Sequence, residues 1–242
     1  MRLLRGFTSV SRPSAWLSSQ CGICRGWGRQ RVCADCLERH APEQPRCVRC
    51  ALEVPAGVRV CGHCLTDPPS FDRCVAALTY GYPWDALITR FKFDAALDLA
   101  PLLADRLLLA QRRAGADPPG LLLPVPLSAQ RLRERGYNQA WEIARRLGRE
   151  LHAEASADLL LRIKDTPHQL QLPLAQRSAN VQGAFAIEPA RLAGLRGREV
   201  TLVDDVLTTG ATANEIAKVL LRAGAVRVQL WVVARTPRRG DA

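Results

Sequence analysis

No stretch of this chain approaches the roughly 18 to 20 consecutive apolar residues that a membrane-spanning helix needs. The longest candidate, around Leu97 to Ala110, is broken by Asp98, Pro101, Asp105 and Arg106. Neither G-x-x-x-x-G-K-[ST] nor G-x-G-x-x-G occurs, which sets aside the common nucleoside-triphosphate and dinucleotide cradles. A secretory apolar stretch followed by a small-residue cleavage site is also missing, so the nine cysteines do not read as the disulfide framework of a small secreted protein. Aromatics make up 5% of the residues, and Trp27 alone lies between the cysteines of the N-terminal region, few for a single-strand stacking platform. Lysine occurs only at 92, 164 and 218. These absences point to a cytoplasmic protein with no membrane span.

What is present fits a folded chain. An apolar content of 48% over 242 residues suffices for one sizeable α/β core and a small second module. The net charge of +11 comes almost wholly from arginine and suits anionic partners, either nucleic acid or phosphorylated small molecules. Residues 1–20 carry Arg2, Arg5 and Arg12, several serines and no acid, a composition shared with transit peptides. They are read as a flexible lead-in. A composition shift at Pro68-Pro69 then divides a cysteine-rich module, 21–70, from an α/β module, 71–242.

The cysteine-rich module contains an internal repeat. Cys21, Cys24, Cys33 and Cys36 form two C-x2-C pairs, and Cys47, Cys50, Cys61 and Cys64 form two more, with spacers of eight and ten residues. A C-x2-C turn can aim both sulfurs at one ion, and two such turns complete the tetrahedral S4 site that zinc prefers. The segment is too short and polar to fold on an apolar core, so two structural zinc ions would supply its folding energy. Each such site carries about −2, which would lower the net charge to about +7. Iron–sulfur ligation and an interleaved pairing of the cysteines are alternatives that spacing leaves open. His63 reads as a solvated turn residue, and Cys74 as a small buried hydrophobe.

Beyond residue 70, strand and helix signals alternate. Strand signals fall at Cys74 to Tyr80, Leu121 to Leu127, Val200 to Val203 and Val226 to Val233, with weaker ones near Leu159 to Arg162 and Ala184 to Ile187. Pro83 suits the first turn of a helix. Helices are expected at Leu99 to Arg113, from about Asn138, and from about Ala213 to Gly224. Thr212 and Glu215 have capping-box spacing at the start of the last one. Such alternation implies an α/β fold, a mostly parallel sheet with helices on both faces.

The segment Thr201 to Ala213 carries the chemistry. A buried strand delivers Asp204 and Asp205 to its carboxyl end, where open α/β sheets bind ligands. Thr208, Thr209, Gly210, Ala211 and Thr212 follow as a loop that opens a helix. Its amides and the helix N-terminus form a phosphate cradle, Gly210 permits close approach, and the two carboxylates suit the vicinal hydroxyls of a ribose.

This segment resembles the phosphoribosyl pyrophosphate (PRPP) signature of type I phosphoribosyltransferases. The chain from about 21 to 235 resembles the ComF family, which joins a double zinc ribbon to such a domain and is associated with competence for DNA uptake. Other matching segments are Phe91-Lys92-Phe93, Pro124-Val125-Pro126-Leu127, Arg135-Gly136-Tyr137-Asn138-Gln139, and the residues Thr166, Gln169, Leu172, Arg177, Asn180 and Val181. Lys164-Asp165 before Thr166 departs from the family's Arg-x-Thr lead-in. The resemblance implies that Asp204 and Asp205 hold the ribose hydroxyls, that residues 208–212 hold the 5′-phosphate, and that Mg²⁺ arrives with PRPP. It makes Arg131 and Arg135 candidate pyrophosphate contacts and the segment from Thr166 to Asn180 a covering flap. The activity implied is that of a glycosyltransferase acting on an unidentified acceptor. The alternative is a non-catalytic PRPP or nucleotide sensor, with single-stranded DNA or a DNA-uptake protein as partner.

Overall fold

The computed structural model describes residues 19–164 and 181–238. Most of the lead-in, and the candidate flap, lie outside the described residues. Strand β1 (Ser19–Gln20) pairs antiparallel with β2 (Trp27–Gly28) around the first cysteine turn. Two short helices, α1 (Ala34–His40) and α2 (Gly62–Thr66), close the two halves of the cysteine-rich region. Then come β3 (Arg73–Thr79), α3 (Trp84–Phe93), α4 (Ala100–Arg113), β4 (Leu121–Pro124), α5 (Ala129–Arg135), α6 (Gln139–Leu151) and β5 (Glu154–Ala155). The chain ends with β6 (Leu160–Arg162), β7 (Phe185–Ile187), β8 (Glu199–Leu207), a helix numbered α7 (Ala211–Arg222) and β9 (Arg227–Arg235).

Five strands form one parallel sheet in the order β3-β9-β8-β4-β5. Alternation along β8 and β9 sends Val203, Trp231 and Val233 to one face, where α3, α4 and α6 contribute Leu87, Leu103, Leu107, Ile143 and Leu147. Val200, Leu202, Leu230 and Val232 face the other side, against Ile216, Ala217 and Leu220 of α7. Each fully buried Leu, Ile or Val contributes about 1.5–3 kcal/mol, which is what fixes this register. The sequence-derived α/β architecture, a parallel sheet with helices on both faces behind a cysteine-rich N-terminal region, is the one found. No helix among the described residues is long and apolar enough to cross a membrane.

Two expectations change in detail. The run Leu121 to Leu127 yields a strand only to Pro124, because Pro124 and Pro126 lack the amide a longer ladder needs. The weak strands β6 and β7 do not enter the sheet. They pair antiparallel with each other and bury Leu160 and Phe185 on the α7 face.

The connections locate a crevice. β4 continues through α5 and α6 to β5 on one side, whereas β8 continues through α7 to β9 on the other. The neighbouring strands β4 and β8 therefore part company at their carboxyl ends. That topological switch point is where open α/β sheets leave a crevice.

Candidate functional site

The crevice holds about 320 Å³ and is lined by Val125, Pro126 and Leu127 after β4, by Arg131 and Arg135 of α5, and by the whole run from Asp204 to Ala213. The structure thus gathers Asp204, Asp205, Thr208, Thr209, Gly210, Ala211, Thr212, Arg131 and Arg135 along one crevice. Strand β8 runs on through both acids to Leu207, so the carboxylates project from a fixed ladder.

The N-terminus of α7 differs from those of its neighbours in its capping. Helices α5 and α6 carry side-chain caps: Ser128 Oγ accepts from Arg131 N, and Asn138 Oδ1 accepts from Ala140 N and Trp141 N. Helix α7 has none; its N-cap is Gly210, and no acid lies in its first turn. The capping box expected from Thr212 and Glu215 is absent, because Glu215 Oε1 accepts from Gly183 N at 2.9 Å instead. Ala211 N donates to Thr209 Oγ1 at 3.4 Å, and the positive end of the helix dipole lies at the crevice.

Gly210 has φ +86°, and an added Cβ would meet nothing closer than Leu207 Cδ1 at 3.8 Å. Replacement by Ala is limited by backbone conformation rather than by space. Gly210→Ala is expected to cost about 1–2 kcal/mol and to weaken anion binding. Chemical denaturation with a parallel phosphate titration checks this, and an unchanged midpoint would count against it.

Lys92, at the end of α3, is the site residue that pattern reading missed. Its Nζ lies 2.8 Å from Asp205 Oδ1. Burial opposes its charge, but the Asp205 carboxylate and the hydrogen bond to it outweigh that and hold the ammonium protonated, with Asp204 adding to the effect. Gln139 Nε2 donates to Lys92 O at 3.2 Å, Tyr137 Oη donates to Phe91 O, and Asn138 Nδ2 donates to Val125 O at 3.0 Å. The segment Arg135 to Gln139 thereby fixes α3 against the end of β4. The sequence signals were the Phe91-Lys92-Phe93 segment, which carried part of the family resemblance but no assigned role, and the scarcity of lysine among many arginines. Arg135 stacks its guanidinium 4.8 Å from the centre of the Phe93 ring and donates to Gln139 Oε1 at 3.0 Å.

Among the described residues, Asp204 lacks a cation of its own. Burial, then the neighbouring Asp205 carboxylate, push its carboxyl up to about 7. A carboxyl raised above its unfolded value adds stability fully below the unfolded value of 3.8, and loses it as pH rises through about 7. In ligand-free buffer Asp204→Asn is therefore expected to raise the melting temperature at pH 8. The gain should shrink steadily between pH 7 and pH 4. A difference that stays flat across that range would refute the assignment.

The cysteines form two clusters, Cys21, Cys24, Cys33, Cys36 and Cys47, Cys50, Cys61, Cys64, each with its four sulfurs within 4.8 Å of one another. This is the sequential pairing, not the interleaved one. Cys24 Sγ and Cys33 Sγ are 3.7 Å apart, and Cys50 Sγ and Cys61 Sγ 3.6 Å, close to the roughly 3.8 Å edge of a tetrahedron with 2.3 Å Zn–S bonds. The repeat holds in three dimensions. Arg25 and Ala51, each four residues after the first cysteine, turn with positive φ, and Cys33 and Cys61 are the N-caps of α1 and α2. Burial works against ionising Cys21, but amides of Cys33, Ile23 and Cys24 bring it down to about 6. Burial pushes Cys50 up to about 11 and Cys36 to about 12. A cation would have to displace those protons, as S4 metal sites do. These clusters could hold two zinc ions. His63 is exposed and outside the cluster, and Cys74 is buried in the core.

No family model matches the chain. Curated relatives do. It is 34% identical over 223 residues to the DNA utilization protein YhgH of Escherichia coli (strain K12), covering 89% of this chain and 96% of that one. It is 35% identical over 223 residues, with the same coverage, to Competence protein F of Haemophilus influenzae. The Bacillus subtilis competence protein ComFC is 27% identical over 146 residues, 60% of this chain and 57% of that one. Among solved structures, the allosteric regulatory enzyme of purine biosynthesis aligns at 18% identity and TM-score 0.36, covering 56% of this chain and 25% of that one. A Thermus thermophilus protein aligns at 19% identity and TM-score 0.31, covering 60% and 85%. Sheet, cleft and cysteine clusters define an α/β protein with a crevice at the switch point of a parallel sheet and a cysteine-rich N-terminal region. The chain belongs to the ComF family, with YhgH and Competence protein F among its relatives.

Proposed function

We propose that the cleft binds PRPP and transfers its phosphoribosyl group to an acceptor, in a role linked to DNA uptake. One observation carries this reading: an acid pair and an uncapped helix N-terminus share the crevice at the switch point of the sheet. Asp204 and Asp205 would accept hydrogen bonds from the ribose hydroxyls. The amides from Thr208 to Thr212 would hold the 5′-phosphate. Arg131 and Arg135, across the cleft on α5, would meet the pyrophosphate as its charge grows on leaving C1′. The donor set fits a hard cation carried by the ligand, because two carboxylates face the crevice and Asp204 has no cationic partner of its own among the described residues. Mg²⁺ bound mainly to pyrophosphate and ribose oxygens would supply charge neutralisation there. The tetrads would hold structural zinc, since four thiolates leave no open position, and the α/β module would begin near residue 71.

The test is pyrophosphate release from PRPP and Mg²⁺ across a panel of acceptors. Release with one acceptor class supports transfer, whereas tight binding with no turnover across the panel supports the sensing alternative. A contact with single-stranded DNA has one supporting feature, the exposed Trp27 beside exposed Arg25 and Arg29. Other arginines of this region are committed elsewhere. Arg46 donates to Ala51 O and Thr79 Oγ1, and Arg31 pairs with Asp98 at 2.5 Å. If this contact exists, Trp27→Ala should weaken single-strand affinity by about 1–3 kcal/mol in a filter-binding assay. No change would remove the reading.

A further inference from the structure

One arginine ties the second cysteine tetrad to the phosphate loop. Arg235, the last residue of β9, is 7% exposed and takes part in none of the ion pairs found among the described residues. Its Nε donates to Cys50 O at 3.0 Å. Its Nη1 lies against three carbonyls: Leu207 O at 2.9 Å, Thr236 O at 2.8 Å and Thr208 O. Leu207 ends β8 and Thr208 opens the loop, so these are the last carbonyls before Thr209 and Gly210. Cys50 is a member of the tetrad itself. A buried guanidinium without a carboxylate needs compensation from nearby dipoles and charge. A zinc-loaded S4 tetrad, carrying about −2, would be its nearest anion. Among the described residues the first tetrad has no such tie. It packs on the sheet's other face, where Cys21 and Cys36 join the cluster of α3 and α4, and Gly22 sits so close to Leu87 that a Cβ would be 2.9 Å from it.

We infer that Arg235 is a positioning residue through which the metal-loaded second tetrad fixes the phosphate loop. Metal at the second tetrad, and not at the first, then controls the geometry of ligand binding. This rests on the ribose-phosphate reading of the cleft. Its physical basis is that Cys50 O, Leu207 O and Thr208 O converge on one fork of donors. Displacement of the Cys50 turn moves the fork, and the fork moves the loop.

The experiment uses the full chain, with zinc content, amide hydrogen exchange over residues 207–213, and ribose 5-phosphate affinity measured on the same samples. Arg235→Gln is expected to keep both zinc ions, to speed exchange in the loop, and to weaken ribose 5-phosphate roughly tenfold. Cys61→Ser, which does not touch Arg235, should speed loop exchange in the same way. Cys24→Ser should speed exchange over 21–36 and not in the loop. Arg235→Lys can reach the loop carbonyls but not Cys50 O at the same time, so it should restore most of the affinity while cancelling the effect of Cys61→Ser on the loop. A zinc-replete Arg235→Gln protein with unchanged loop exchange overturns the proposal, as does a Cys24→Ser protein whose loop is equally disturbed. Should Cys61→Ser fail to fold, the comparison of Arg235→Gln with Arg235→Lys decides. A wild-type chain that ignores ribose 5-phosphate contradicts the functional reading instead, and the exchange data still decide the coupling.

Discussion

Replacing Asp204 and Asp205 together by Asn is expected to abolish magnesium-dependent PRPP binding. Hydrogen bonds to a charged acceptor contribute about 1.5–3 kcal/mol each, so losing both carboxylates should weaken binding by roughly a hundredfold or more. The single variants separate what each acid does. Both should bind poorly, yet their effects on the unliganded fold should have opposite signs. Asp204→Asn removes a carboxylate that burial and Asp205 disfavour. Asp205→Asn strands the Lys92 ammonium, which sits 2.8 Å from Asp205 Oδ1 in a half-buried position. Breaking a pair of this kind leaves a charge uncompensated, a larger loss than the pair itself contributed. Thermal melts of both variants, with and without PRPP, check the opposition. Equal destabilisation by both would show that the acids are electrostatically equivalent, contrary to the geometry.

The second large effect concerns the cysteines. Cys47→Ser is expected to lower zinc from about two to about one per chain and to destabilise the protein by several kcal/mol. The apolar cluster of this half is small, built on Leu52 and the cysteines themselves, with Val54 and Val60 at its edge. It cannot replace a structural zinc site, whose apparent binding energy is about 10–16 kcal/mol in isolated fingers. Elemental analysis and calorimetric melting measure both quantities. A protein that keeps its melting temperature with one tetrad broken would show that the fold does not depend on metal there.

The parts of the site that are local in sequence were legible in it. The acids, the hydroxyl-rich loop and the start of the following helix lie within the thirteen residues from Thr201 to Ala213, and the strand signal there is unmistakable. The tetrads were legible because C-x2-C spacing constrains which sulfurs can meet. What tertiary packing decides was not legible. Lys92 reaches Asp205 only because tertiary packing, with Tyr137 and Gln139 bonded to the end of α3, brings it to the end of β8, and the Phe91-Lys92-Phe93 match assigned it no such contact. Glu215 had the spacing of a capping residue, but it accepts instead from Gly183 N, in the turn before β7. That miss strengthens the site, since an uncapped helix end is what a phosphate needs. No helix was expected over Arg131 and Arg135. They stand on a seven-residue helix that Ser128 caps and Gly136, with φ +77°, terminates. Arg235 is one of many arginines, and only burial against three segments distinguishes it.

The central claim is that this cleft holds a ribose 5-phosphate group. Titration calorimetry of PRPP into the full, zinc-replete chain tests it most directly. The account predicts one site per chain, affinity that falls when Mg²⁺ is removed, and competition by ribose 5-phosphate. Absence of binding with zinc and Mg²⁺ present, or binding that persists unchanged after both acids become Asn, would contradict it.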